Sequence, residues 1–188
     1  MSARVVYSMS VSLDGYINSA SGSLEWVDID EELHGWFNDR AREAGAFVYG
    51  RRLYETMVPY WPNALDDPDV TPVERDFAII WRDKPKIVFS STLESVDFNC
   101  RLVREDILTA LPALKEEFDG DLDVGGATLA APLVAANLVD EYLVVVHPVL
   151  LGGGTPFFPA HIDRLDLEPT STDRFTNGAT LLTYRPRR

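Results

Sequence analysis

Hydrophobic and polar residues alternate along the chain with two different periods. Residues 5–11 alternate every second position, as a half-buried strand does, whereas Leu33, Trp36 and Phe37 recur at the spacing of one helical face. Short apolar runs predict further strands at 46–49, 86–89, 101–103, 122–124 and 142–146. Helical patterns predict helices at 30–43, 51–57, 73–81, 107–118 and 127–138. The sequence therefore predicts strands and helices that alternate through most of the chain.

The C-terminal part of the chain has a different pattern. Residues 165–184 predict two strands joined around Asn177-Gly178, a dipeptide that favours the tight turn of a β-hairpin. Alternating strands and helices followed by a hairpin predict an α/β sandwich with an antiparallel edge. With 188 residues, of which 46% are hydrophobic, the chain can bury one core, so we expect a single domain spanning residues 1–188.

The charge and the cysteine content exclude several classes of partner. Thirty acidic residues against 17 basic ones give a net charge of −13, which repels nucleic acids and anionic membranes. The single cysteine, Cys100, cannot form an internal disulfide, and no histidine or cysteine cluster has the spacing of zinc ligands. No apolar stretch approaches the roughly 20 residues of a membrane span. We therefore expect a cytoplasmic protein without a metal site.

Three turns that each follow an apolar run carry groups that bind phosphate. They are Gly50-Arg51-Arg52, Ser90-Ser91-Thr92 and Gly125-Gly126-Ala127-Thr128. Anions are favoured where backbone N–H groups at a helix start, hydroxyl groups and guanidinium groups converge. Each turn also has an ordinary explanation, since glycine and serine are common in tight turns and arginine is common on surfaces. The Gly152-Gly153-Gly154 stretch has no helix behind it and is interpreted as a flexible connection.

These turns belong to a longer series of segments, at 12–15, 21–26, 50–55, 90–91, 125–129, 138–141 and 148–152. In this order, and over nearly the whole chain, the segments resemble the dihydrofolate reductase-like superfamily. Within it, the chain is most similar to the reductase domain of riboflavin biosynthesis. Any one of these segments could occur by chance in an unrelated protein, but the whole set in this order is specific to the family.

The resemblance implies a three-layer α/β/α fold whose central, mixed and mostly parallel sheet binds NADPH across the carboxyl ends of its strands. In such enzymes the cofactor supplies the hydride. Arg51 and Arg52 are expected to pair with the 2′-phosphate, and the glycine turn at 125–129 to hold the pyrophosphate. The residues that the resemblance assigns to the cofactor are Gly50, Arg51, Arg52, Ser90, Ser91, Gly125, Gly126, Ala127, Thr128 and Leu129.

The substrate side is less specified by the sequence. By resemblance Asp14 lies beside the nicotinamide and the substrate, where it would orient the substrate or assist proton transfer; as Asp14-Gly15 it is equally a turn pair. His34 occupies the place at which dihydrofolate reductases carry a carboxylate, which argues against folate reduction. The implied activity is reduction of 5-amino-6-(5-phosphoribosylamino)uracil. The alternatives are reduction of another small carbonyl or pteridine-like compound, and non-catalytic nucleotide binding.

Two apolar stretches raise the question of association. Residues 143–146 and 156–159 would suit a two-fold interface, and proteins of the resembled family are often dimers, so we expect a homodimer. Both stretches would equally suit the core.

Overall fold

The computed structural model describes residues 2–187, which form eight strands and five α-helices. The strands are β1 (Val5–Ser12), β2 (Ala44–Gly50), β3 (Lys86–Phe89), β4 (Cys100–Val103), β5 (Asp121–Gly125), β6 (Glu141–His147), β7 (Leu167–Arg174) and β8 (Thr180–Pro186). The helices are α1 (Glu31–Glu43), α2 (Arg51–Met57), α3 (Pro72–Asp83), α4 (Ile107–Glu117) and α5 (Ala127–Ala135). A short 3₁₀ helix, Ala64–Asp66, lies between α2 and α3. Every predicted strand and helix is present.

The strands form one sheet in the order β4-β3-β2-β5-β1-β6-β8-β7. All neighbours from β4 to β6 are parallel, and β8 and β7 continue the sheet in antiparallel pairing. The chain inserts β5 between β2 and β1 and then crosses to β6 on the other side of β1. The carboxyl ends of β1 to β6 consequently meet at one edge of the sheet, where open α/β folds bind their ligands.

Helices cover both faces of the sheet. On one face, Leu111 of α4 and Leu133 of α5 pack against Tyr7 and Leu122 of the sheet. On the other face, α1 contributes Leu33 and Ala41, and α3 contributes Trp81, to two smaller clusters. A fully buried side chain of this size contributes about 1.5–3 kcal/mol. The packing gives the predicted three-layer arrangement.

Helix ends differ from the predicted bounds by a few residues. Asp30 precedes α1 as its cap and accepts a hydrogen bond from the backbone N–H of Leu33. Helix α5 ends at Ala135 and not at residue 138. Asn137 adopts a φ of 53°, and the N–H of Leu138 donates to the carbonyl of Leu133 at 2.9 Å. This left-handed closing turn ends the helix earlier than hydrophobic periodicity indicates.

The C-terminal hairpin is present as predicted. The N–H of Phe175 donates to the carbonyl of Ala179 at 3.0 Å, and Gly178 takes a φ of 87°. The side chain of Asn177 donates to the carbonyl of Asp28 at 2.7 Å, so the turn is also fastened to the segment before α1.

The apolar stretches considered for a dimer interface lie largely inside the protomer. Strand β6 lies between β1 and β8, and its Leu143 and Val145 are buried. In the second stretch Phe157 is buried, and Phe158 is 41% exposed. The homodimer stays a prediction, which light scattering would test.

Asp123 on β5 places a carboxyl group at a partly buried position of the sheet. Burial is the largest cause that raises its pKa, to about 6, and Asp121 acts in the same direction against Arg40 and Lys84. The folded protein therefore holds a proton on this group between roughly pH 4 and pH 6, where the unfolded chain has lost it. Stability is expected to fall as pH rises through this interval.

This gives a prediction for Asp123→Asn. The free energy of unfolding of the variant minus that of the wild type is expected to rise by about 1–3 kcal/mol from pH 4 to pH 7.5. The reason is that the wild type must ionise a buried carboxyl group over this interval and the variant need not. Urea unfolding at both pH values measures the difference. An equal difference between the two proteins at both pH values would contradict the raised pKa.

Candidate functional site

A cleft lies at the edge where the parallel strands end, with a volume of about 930 Å³. This is at the upper end of the range of about 300–1,000 Å³ for small-molecule sites. Its walls come from the segments that follow five strands, β1 to β5, and from the first turns of α2 and α5. Because those strands are parallel, segments far apart in the sequence meet at this edge.

The structure brings most of the predicted cofactor residues together in this cleft. The lining includes Gly50, Arg51, Arg52, Ser90, Ser91, Gly126, Ala127, Thr128 and Leu129. Gly125 is the exception, because it is buried at the end of β5 below the cleft. A Cβ at Gly125 would lie 2.3 Å from Cδ2 of Leu53, so this glycine allows α2 to pack closely on β5.

Gly126 shapes the wall at the start of α5. Its φ is 98° and its ψ is 118°, a conformation that only glycine adopts readily. Gly126 is the N-cap residue of α5 and has no side chain that could accept a hydrogen bond. The N–H groups of Ala127 and Thr128, in the first turn of the helix, therefore have no side-chain acceptor from the cap. The N–H of Gly126 itself donates to Sδ of Met9 at 3.3 Å. Free N–H groups and the positive end of the helix dipole favour an anion here.

Arg51 and Arg52 have different surroundings. The Nη1 of Arg51 lies 2.9 Å from Oε2 of Glu55, one helical turn away on α2. The guanidinium of Arg52 makes no ion pair with any carboxylate of residues 2–187, and it also lines a smaller cavity beside the segment 18–22. Arg52 therefore lies toward β1, whereas Arg104, which donates to the carbonyl of Leu93 at 2.7 Å, lies toward β4.

The two serines after β3 also differ. Oγ of Ser90 accepts from the backbone N–H of Thr92 at 3.1 Å and from that of Leu93 at 3.0 Å, so it holds a local turn. Ser91 is exposed, and its hydroxyl has no hydrogen-bond partner in the described part of the chain. Ser91 is thus the hydroxyl available to a ligand.

Asp14 is exposed and lies outside the set of cleft-lining residues. Its carboxylate accepts from the Ser12 hydroxyl at 2.6 Å and from the N–H groups of Leu151 at 3.1 Å and Gly152 at 2.7 Å. The Ser12 hydroxyl is the largest cause that lowers the pKa of Asp14. These contacts fasten the loop after β6 to the loop after β1, and the role of Asp14 in catalysis stays a prediction.

The glycine-rich segment after β6 is anchored, in contrast to the flexible connection that the sequence suggests. A Cβ on Gly154 would lie 1.9 Å from the backbone oxygen of Asn18, and the N–H of Ile17 donates to the carbonyl of Thr155 at 2.8 Å. Both Ile17 and Thr155 line the cleft. The segment is therefore part of the cleft wall.

Sequence reasoning missed several wall residues. Met9, Ile17, Leu24 and Thr155 line the cleft. Leu24 lies in the segment 21–26, which is one of the segments that carry the family resemblance. That resemblance was the sequence signal that could have indicated this end of the cleft. His34 does not line the cleft. Its ring packs edge-on against Trp61, with 6.0 Å between ring centroids.

A model of the RibD C-terminal domain matches residues 3–181. YyaP of Bacillus subtilis strain 168, an uncharacterized protein, is 30% identical over 182 residues, which cover 96% of this chain and 94% of YyaP. The chain belongs to the RibD C-terminal domain family. Membership of the RibD C-terminal domain family supports a reductase-like role for the cleft.

Solved structures of other proteins share the fold of this chain. A putative riboflavin biosynthesis protein from Shewanella sp. PV-4 has a TM-score of 0.77 and 24% identity, with 99% of each chain covered. A dihydrofolate reductase from Enterococcus faecalis, complexed with NADP(H) and RAB-propyl, has a TM-score of 0.62 and 16% identity, with 98% of this chain and 97% of that chain covered. The predicted dihydrofolate reductase-like fold is confirmed. None of the helices within residues 2–187 has the length and hydropathy needed to cross a membrane.

Proposed function

We propose that this protein is an NADPH-dependent reductase that transfers a hydride to a small heterocyclic or carbonyl substrate. The observation that carries the proposal is the convergence on one cleft of the three turns, after β2, β3 and β5, that are predicted to bind phosphate. The cleft extends across the ends of the five neighbouring strands β1 to β5, as a dinucleotide requires, and arginines line it in a protein whose net charge is −13. Reduction rather than mere binding is supported by the family.

The residues of the cleft fit a pyrophosphate and a 2′-phosphate. The uncapped N–H groups of Ala127 and Thr128 suit the pyrophosphate, and Arg52 lies on the side of the cleft nearest β1. Arg51 and Ser91 offer a guanidinium and a hydroxyl to the 2′-phosphate. The positive φ of Gly126 allows the backbone to approach the ligand without a Cβ between them. When bound, NADPH supplies a hydride from C4 of its nicotinamide.

The chain's own contribution is to position the reactants and exclude water. Met9, Ile17 and Leu24 form an apolar wall at the β1 end of the cleft. An apolar wall lowers the local dielectric constant and keeps water from the reacting carbon. Asp14 stays our candidate for orienting the substrate or assisting proton transfer at this end of the cleft, because it holds the loop after β6 against the loop after β1. Water is the alternative proton source.

The substrate that the family suggests is 5-amino-6-(5-phosphoribosylamino)uracil. Reduction would place the hydride on C1′ of the opened ribosylimine, and a proton from an acid or from water would complete the ribitylamino product. The zinc deaminase signature of bifunctional enzymes in this pathway needs two cysteines, and this sequence has one. We therefore propose only the reductase activity for this chain.

The experiment that tests this function follows the absorbance of NADPH during oxidation. The candidate substrates are the phosphoribosylaminouracil, dihydrofolate and a set of small carbonyl compounds, each also assayed with NADH. We expect turnover with at least one of them and a preference for NADPH. Saturable NADPH binding without turnover of any candidate would instead support a nucleotide-binding protein.

The two arginines give a matched pair of variants. Arg51→Ala is expected to weaken NADPH binding by about 10- to 100-fold with little effect on NADH, because a charge-assisted contact to the 2′-phosphate is lost. Arg52 lies beside the segment 18–22, toward β1, so we assign it to the pyrophosphate and not to the 2′-phosphate expected from the sequence. Arg52→Ala is therefore expected to weaken the binding of both cofactors to a similar extent, because both carry the pyrophosphate. Titration calorimetry with each cofactor measures the four affinities. Equal losses for the two cofactors in Arg51→Ala would remove Arg51 from the 2′-phosphate.

A further inference from the structure

Met9 brings a sulfur atom to the wall of the cleft. It lies on β1, an interior strand, yet it is only half-buried, and it packs against the hydrophobic cluster that α4 and α5 cover. Tyr7 pairs with Val124 in the register of β1 and β5, so Met9, two residues further on, lies beside Gly126. Both Met9 and Gly126 line the cleft. A flexible thioether is therefore accessible at the turn between β5 and α5.

The thioether of Met9 accepts the hydrogen bond of the Gly126 N–H. The distance between Sδ and the nitrogen is 3.3 Å. A thioether sulfur is a weak acceptor, and the unbranched side chain of methionine adapts its position readily. The next N–H groups along the chain are those of Ala127 and Thr128, to which we assign the pyrophosphate. Met9 thus contacts the turn that would hold the phosphates and brings no oxygen atom to it.

Oxidation would turn this side chain into a competitor of the phosphate. Hydrogen peroxide transfers one oxygen atom to the thioether, so that Sδ is oxidised to a sulfoxide and the peroxide is reduced to water. The new oxygen is bonded to a sulfur that already contacts the Gly126 N–H, and it carries partial negative charge. It would accept that N–H more strongly than the sulfur does. It would also place negative charge beside the N–H groups of Ala127 and Thr128, where it disfavours an anion.

The other sulfur atoms have different surroundings. Cys100 lies on β4, where its thiol donates to the carbonyl of Phe98 at 3.6 Å, and burial raises the pKa of this thiol to about 11. Little of the reactive thiolate is therefore present at neutral pH. Met57 ends α2 and packs in the cluster around Trp81. Among the sulfur-containing side chains of residues 2–187, only that of Met9 lines the cleft.

We propose that Met9 is an oxidation switch of the cleft, in which the sulfoxide closes the cleft to NADPH and the thioether reopens it. The oxidant is hydrogen peroxide. The reverse step uses methionine sulfoxide reductase and a dithiol, which is oxidised to a disulfide while the sulfoxide oxygen leaves as water. The inference rests on the proposed function, because the property that the switch controls is the binding of NADPH.

The test compares the reduced protein with protein that has been treated with hydrogen peroxide and then freed of it. Peptide mass spectrometry measures the sulfoxide fraction at each of the three methionines, and calorimetry measures the affinity for NADPH. We expect the Met9 sulfoxide form to bind NADPH about tenfold more weakly or worse. Urea unfolding checks that the treated protein is still folded. Repair by methionine sulfoxide reductase with a dithiol is expected to restore the affinity.

Two variants assign the effect to one sulfur atom. Met9→Leu cannot form a sulfoxide at this position, and its own affinity before treatment is its reference value. We expect peroxide to leave that value unchanged. Met57→Leu is the matched control, since it keeps Met9 and removes the other methionine of residues 2–187, and it is expected to lose affinity on treatment as the wild type does. Both variants keep Cys100, so oxidation of the thiol would affect them equally.

Three results would overturn the switch. One is unchanged NADPH affinity in protein whose Met9 is fully oxidised, another is a Met9 that resists peroxide while Met57 is oxidised, and the third is an equal loss of affinity in treated Met9→Leu. The titration of the reduced protein distinguishes the two proposals. NADPH binding by both the reduced and the oxidised form refutes the switch alone, whereas absence of binding by the reduced form refutes the cofactor assignment and the switch with it.

Discussion

Replacing Gly126 with alanine is expected to weaken NADPH binding by about 100-fold. Gly126 has a φ of 98°, and an alanine there either stores about 1–3 kcal/mol of backbone strain or changes the conformation. A change of conformation would move the first turn of α5, and with it the N–H groups of Ala127 and Thr128. Charge-assisted hydrogen bonds of this kind contribute about 1.5–3 kcal/mol each, so the loss of one accounts for the effect.

The measurement is a calorimetric titration of Gly126→Ala with NADPH, together with urea unfolding. A Cβ at Gly126 would meet nothing closer than Cβ of Leu53 at 4.0 Å, so no steric clash obscures the result. Gly35→Ala is the control, because Gly35 lies in α1 with no atom within 4 Å of a new Cβ. Wild-type affinity in Gly126→Ala would exclude the start of α5 as the pyrophosphate site.

Replacing Gly154 with alanine is expected to lower the free energy of unfolding by about 3–5 kcal/mol. Its φ is 144°, and the new Cβ would lie 1.9 Å from the backbone oxygen of Asn18. Backbone cannot move aside as a side chain does, so strain and overpacking add. The segment cannot separate freely, because Phe157 nearby is buried and stacks on Tyr7 with 4.2 Å between ring centroids.

Gly153→Ala is the matched control for this effect. A Cβ on Gly153 would have nothing within 4 Å, so the variant is expected to lie within about 1 kcal/mol of the wild type. Urea unfolding of the two variants measures the difference directly. Similar stability of both would mean that the segment after β6 is not held against the segment 15–18. The NADPH affinity of Gly154→Ala is also expected to fall, since Ile17 and Thr155 form part of the cleft wall.

Much of the fold could be predicted from local patterns. Apolar runs bounded by turns predicted β2 and β3, and Asn177-Gly178 predicted the C-terminal hairpin, because these signals depend on neighbouring residues only. The end of α5 could not be predicted in this way. Residues 136–138 continue a helical pattern, but the left-handed Asn137 closes the helix.

The cleft was predictable where its groups follow strands. Parallel strands bring their carboxyl ends together, so the sequence predicts Gly50, Ser91 and Gly126 at one edge of the sheet. Contacts between loops were not predictable. Asp14 accepts hydrogen bonds from the backbone of Leu151 and Gly152, at separations of 137 and 138 residues, and no local pattern indicates such partners.

The central claim is that this cleft binds NADPH, and an equilibrium titration tests it most directly. We predict a saturable calorimetric isotherm with one NADPH per chain and an affinity for NADH that is lower by about tenfold or more, since NADH lacks the 2′-phosphate. No saturable heat with either cofactor would contradict the account.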